Sequence, residues 1–302
     1  MHTLIEAEMG DKPALQPRAA IGPAVRAIAG RIIDGARAVI IDPERTSQDA
    51  VHDFRRAMKQ WRALMRLLEP FIPDSVRLRQ EARNHARSLS RARDGQSALN
   101  AFDDLVDKAL PLSARSIATI RGRLEAIRAA EEQEVLTPEL RQAITAWLDA
   151  TATAIELWPL DPFEFSAIAA RLTAGYRAAR RGIPADWTHA SAEDLHHLRQ
   201  RVVDHRYQMD LIEPLWPRHG RMWTEEAERL RDRLGRCQDL EILKRLTGPH
   251  QPLAHWRSRL TPACAERTME LAQRAARIAH RLFAERPKAF RHRLEMLWKH
   301  GR

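Results

Sequence analysis

Apolar residues recur along most of this chain at steps of three and four, the spacing of one helical face. Runs that alternate apolar with polar residues between Gly or Asn-Gly turns are missing. The pattern predicts an all-α protein built from helices of about 15 to 25 residues. Prolines behind capping residues, at Thr137-Pro138, Asp161-Pro162 and Thr261-Pro262, mark expected helix starts. One helix can be bounded closely. Thr46-Ser47-Gln48-Asp49 resembles a capping box and Glu69-Pro70 is a stop, so the helix should run from about Ser47 to Glu69. On it, Phe54, Met58, Trp61, Met65 and Leu68 form an apolar arc that should face a core. At roughly 100° per residue, His52, Arg55, Lys59, Arg62 and Arg66 fall within about 80° of one another as a single basic stripe.

The same pattern returns 144 residues later in "LHHLRQRVVDHRYQMDLIEPLWP", Leu195 to Pro217. His52 aligns with His196, Arg55 with Arg199, Arg62 with Arg206 and Glu69-Pro70 with Glu213-Pro214. After a one-residue insertion the match continues from Asp94 to Asp239. A period this long predicts a duplicated helical bundle: a flexible tail over 1–17, a first bundle over 18–134 and a second over 135–302, packed about a pseudo-two-fold axis. The copies are unequal. Val203 stands where the first has Lys59, and Asp210 where it has Arg66. Val51 to Arg93 carries eleven Lys and Arg against four acids, whereas Leu195 to Arg236 carries nine against seven, so the first half should dominate any basic surface.

Charge sharpens this picture. Fifty Lys and Arg against forty Asp and Glu, with a pI near 10.4, point to a polyanionic partner. Cys237 and Cys264 are too few for a disulfide framework and sit in no zinc-ligand spacing. The stretch "MHTLIEAEMGDKP" lacks the basic start and apolar run of a signal peptide, and no run approaches 18 apolar residues. The expectation is a cytoplasmic protein without a membrane segment, a metal or another cofactor. His196-His197 does not suggest a metal site, because neighbours on a helix diverge by about 100° and no HExxH accompanies them.

These residues carry a resemblance. The spacing H-x-x-R-x-x-x-K/R-x-x-R, complete from His52 to Arg62 and altered at Val203 in the copy from His196 to Arg206, resembles the CHAD-domain family of histidine-containing helical domains. "RARD" at Arg91 to Asp94, "GRCQD" at Gly235 to Asp239 and "YRAARR" at Tyr176 to Arg181 are similar to its other landmarks. The resemblance implies two four-helix bundles with a basic groove or pore between them. It also implies binding of inorganic polyphosphate rather than catalysis, possible competition by nucleic acid, and an association with polyphosphate granules.

Such a ligand suits rows of cations: arginine offers a fork of donors to phosphate oxygens, lysine a point charge, and histidine a donor that strengthens on protonation. The candidate contacts are His52, Arg55, Arg56, Lys59, Arg62 and Arg66, then Arg83, Arg87 and Arg91, Arg177 and Arg180, His196, Arg199, Arg206 and Arg236, and Arg274, Arg277 and Arg281. Asp94 and Asp239 are expected to cap helices, the tryptophans to pack in the core, and Cys237 to be a small buried thiol. His197, His205 and the other histidines unmatched in the repeat are expected to be buried and bonded to a carbonyl rather than to contact a ligand. Two other readings compete: a general nucleic-acid binder, which lacks any recognised motif, and a phosphoanhydride hydrolase, which lacks a P-loop and a carboxylate cluster for magnesium.

Overall fold

The computed structural model describes residues 14–17, 19–89, 94–132, 136–161 and 163–301. Among these residues the protein is all-helical, without a strand. The α-helices are α1 (Ile21–Ile41), α2 (Ser47–Leu67), α3 (Ser75–Ser88), α4 (Asp94–Val106), α5 (Ala114–Glu132), α6 (Pro138–Glu156), α7 (Phe165–Arg181), α8 (Ala192–Asp210), α9 (Pro217–Arg245), α10 (Arg257–Leu282) and α11 (Pro287–His300). Helix α2 begins where its capping sequence says, with the Thr46 hydroxyl accepting the Asp49 amide at 3.1 Å. Helix α8 opens with a full capping box, Ser191 and Asp194 bonding each other's backbone amides. Thr137 caps α6 at Pro138 as expected, whereas Pro162 lies outside the described residues. Pro262 starts nothing: a 3-10 turn at Ala254–Trp256 leads straight into α10, which is already under way when it reaches that proline.

Phe54, Met58, Trp61, Met65 and Leu68 are all fully buried, so the apolar arc of α2 is core. Helix α1 packs on α2 and α6, α7 packs on α8 and α11, α2 crosses α8 and α4 lies against α9. Helix α6, which begins just beyond the boundary expected near 134, packs on α1. Leu15 corrects the expected tail: it is buried, and its amide donates to the Leu211 carbonyl at 2.7 Å. Buried residues from both halves join in one continuous cluster. Gly95 lets α4 come close to α5, since a Cβ there would stand 2.8 Å from the Arg128 backbone.

The rotation of α8 about its axis is set by a buried aromatic group. Tyr176 of α7 stacks on Phe290 of α11 at 4.3 Å, and its hydroxyl donates to the Glu285 carbonyl. His205 sits beside them and accepts a hydrogen bond from the Trp223 indole at 2.8 Å. With His205 held inward, its neighbours Arg206 and Tyr207 turn toward the other half. Burial, reinforced by the Arg293 charge, pushes the His205 pKa down to about 3.

That depression predicts acid sensitivity. Unfolded His205 binds a proton near its ordinary pKa of about 6.5 and the folded form does not, so stability is complete above that pH and falls as the pH drops toward about 3, by about 1.4 kcal/mol per unit. Urea denaturation between pH 7 and 4 should show this slope, and His205→Gln should flatten it.

Candidate functional site

Four helices, α2, α4, α8 and α9, bound a cleft of about 840 Å³. His52, Arg55, Arg56 and Lys59 of α2 form one wall, and Arg206 and Tyr207 of α8 with Glu228, Arg231 and Asp239 of α9 form the facing wall. Gln96 and Asn100 of α4, hydrogen-bonded to each other at 2.8 Å, add neutral donors and acceptors. The Arg55 guanidinium donates to the Leu89 carbonyl at 3.3 Å, which fixes it against the end of α3. Arg206 lies over the Tyr207 ring at 4.9 Å. Burial pushes the Tyr207 phenol above its ordinary pKa, while Arg206, Arg56 and Arg231 oppose that shift, so all three cations act on the same oxygen.

The stripe read along α2 divides at Lys59. Beyond it, Arg66 pairs with Asp204 of α8, its Nε 2.9 Å from the carboxylate. Burial pushes the Asp204 carboxyl above the usual aspartate range, against the charges of Arg66, Arg62, Arg201 and Arg79. Burial also lowers Arg62 and Arg66 from the ordinary arginine value, helped by neighbouring guanidiniums that include Arg83 for Arg62. Arg62, Arg66 and Arg83 thus form a second basic group around an internal acid, apart from the cleft lining.

Other predicted rows lie elsewhere. Arg236 pairs with Asp104, which also takes Arg267 at 2.9 Å; Glu270 joins Arg267 to Arg274. These side chains hold α4, α9 and α10 together. Arg281 reaches Glu226 at 3.2 Å, and Arg277 is exposed on α10. Helix α7 does not close the cleft, because its Tyr176 face is committed to α11. Arg180 donates to the Phe283 carbonyl at 2.9 Å and Arg177 is exposed. Arg87 is exposed on α3, and Arg91 lies outside the described residues. His196 bonds Gln200 at 2.6 Å rather than lining the cleft, and Arg199 lies over Gly235, 3.4 Å from where a Cβ would stand.

Several single-residue expectations also meet the structure. Asp94 opens α4, but Asp239 is inside the unbroken α9 and cannot cap; it faces the cleft instead. Cys237 is buried, and burial pushes its thiol up to about 12. Trp61 is fully buried, whereas Trp216 is half exposed and stacks on His219 at 4.8 Å. His197 is exposed, 3.9 Å from Glu193. Arg231, Tyr207, Gln96 and Asn100 were missed. Arg231 has no counterpart in the first copy, where Ala86 takes its place, so the repeat could not flag it. Gln96 and Asn100, four apart just after Asp94, offered a faint polar signal. Among the described residues no group of three or more His, Cys, Asp or Glu is placed to hold a metal ion, and no helix is long and apolar enough to cross a membrane.

Comparison with known proteins adds two findings. The family model described as the CHAD domain matches residues 24–248. Among solved structures, the crystal structure of the CHAD domain from the plant Ricinus communis is similar at a TM-score of 0.54, covering 94% of this chain and 95% of that chain at 22% sequence identity. That degree of identity speaks to the fold. No curated protein matches.

The Asp204 group can be tested apart from the cleft. Asp204→Asn leaves Arg62 and Arg66 half-buried without their shared acid, and should lower the free energy of unfolding by about 3 kcal/mol. Urea denaturation at pH 7 measures this. A loss below about 0.5 kcal/mol would mean that the carboxylate does not hold the α2–α8 crossing together.

Proposed function

The chain belongs to the CHAD-domain family, and from that premise we propose that it binds inorganic polyphosphate, without reacting with it, in the cleft between α2, α4, α8 and α9. The observation that carries the reading is convergence: cations from α2, α8 and α9 face one space. A phosphate chain has repeated charge and no base edges, so it needs several donors along a path and no single specificity contact. The cleft offers arginine forks, one lysine and one histidine in that arrangement. The protein works in the cytoplasm, on or near polyphosphate granules.

The reading includes an internal duplication, with the basic cleft lying along the seam between two related halves. Its support is the matched packing, α1 on α6 beside α7 on α11, with α2 against α8 and α4 against α9 as the self-paired contacts. Arg55 against Leu89 and Arg199 against Gly235 are neighbouring places in the two copies, since Leu89 aligns with Leu234. The contributions are unequal, as Val203 is buried where Lys59 faces the cleft.

Nucleic acid shares the charge requirement but asks for more. Sequence-tolerant binding of single strands draws on exposed rings for base stacking, and the aromatic ring in this cleft, Tyr207, is half-buried beneath Arg206. Polyphosphate should therefore outcompete single-stranded RNA and duplex DNA at equal phosphate concentration.

The test is calorimetric titration with long-chain polyphosphate. Arg56→Glu with Lys59→Glu should weaken binding at least tenfold, on the order of the loss of one charge-assisted contact or more. Arg277→Glu with Arg281→Glu on α10 should change it less than about twofold, and raising salt should weaken the wild type steeply. Equal losses from the two pairs would place the ligand elsewhere, and phosphate release during incubation with divalent metals would revive the hydrolase reading.

A further inference from the structure

The cleft contains an acid where a polyanion site should avoid one. Glu228 of α9 puts one carboxylate oxygen 2.8 Å from Arg231 and the other 3.2 Å from Arg206. The two guanidiniums are largely covered, with 29% and 17% of their side chains exposed, whereas Glu228 retains 42%. It bridges two arginines with two oxygens, as a phosphate group would. In the internal alignment, Glu228 falls where the first copy has Arg83.

We propose that Glu228 is a built-in competitor for the facing wall of the cleft, and that it makes the site selective for long phosphate chains over short ones. This rests on the polyphosphate reading above. A short anion can satisfy the α2 wall, His52 to Lys59, and leave Glu228 on its arginines. A long chain reaches Arg206 and Arg231 as well, and must displace the carboxylate to bond them. Only the long ligand makes enough simultaneous contacts to offset that displacement. Until it arrives, Glu228 keeps both guanidiniums fixed and partly neutralised, so ordinary cellular anions gain little from that wall.

The neighbouring acid supplies a control. Asp232 lies 2.7 Å from the same Arg231 but does not line the cleft. Removing either acid changes the net charge equally, and only removal of Glu228 clears the site. A displaced pair of half-exposed contacts predicts a gain of about five- to tenfold.

Full-length wild type, Glu228→Gln and Asp232→Asn are to be titrated with long-chain polyphosphate, tripolyphosphate and orthophosphate, with circular dichroism melts confirming that each is folded. The expected result is that Glu228→Gln tightens long-chain binding about five- to tenfold and tripolyphosphate less than about twofold, while Asp232→Asn moves both less than about twofold. Equal gains for long and short ligands, or equal gains from the two variants, would overturn the competitor role and leave only a general charge effect. If Glu228→Gln is poorly folded, Glu228→Ala is read in its place against the same limits. Wild type that binds none of the three ligands would instead overturn the polyphosphate reading itself.

Discussion

Cations of one sign do not gather unless something else holds them, and here the buried reverse face of α2 does so. Phe54, Met58, Trp61, Met65 and Leu68 are fully buried behind the basic row. Each large apolar side chain contributes about 1.5–3 kcal/mol when taken out of water. Two like charges a few ångströms apart in water-like surroundings repel by about 1 kcal/mol. Core burial therefore wins, and α2 can carry His52, Arg55, Arg56 and Lys59 on one exposed flank without fraying. Helix α8 is anchored in the same way by Tyr176, His205 and Trp223, which aims Arg206 back across the cleft.

Internal acids then decide which basic side chains remain directed at the cleft. Asp204 draws Arg66 into the α2–α8 crossing, Asp104 draws Arg236 and Arg267 into the α4–α9–α10 contact, and Glu228 holds Arg206 and Arg231 at the cleft itself. The first two bonds are architectural, since they join helices far apart in the chain. The third lies where a ligand would sit. The net positive charge of the chain is thus a poor guide to what lines the cleft: Arg66, Arg236 and Arg267 hold helices to one another.

The helical class, the limits of α2, its core arc and the cleft-facing residues from His52 to Lys59 were legible in the sequence, because periodicity and capping are local. Recurrence of the motif pointed to Arg206 as well. What escaped depends on partners far along the chain. Nothing near Arg236 announces Asp104, and nothing near Arg66 announces Asp204, so the rows looked continuous when the fold had already divided them. Asp239 resembled a cap because it aligns with Asp94, yet α9 runs unbroken through that position. Arg177 and Arg180 looked like cleft contacts until Tyr176 showed which face of α7 is packed. The contact of α6 with α1 is likewise announced by nothing near residue 134.

On the proposed reading, the one cleft between α2, α4, α8 and α9 receives the phosphate chain. A crystal structure of the protein grown with long-chain polyphosphate tests it most directly. The account predicts phosphate density running between α2 and the α8–α9 wall, within hydrogen-bonding distance of Arg56, Lys59 and Arg206. Ordered phosphates along Arg274, Arg277 and Arg281 of α10, with the cleft holding only water, would contradict it.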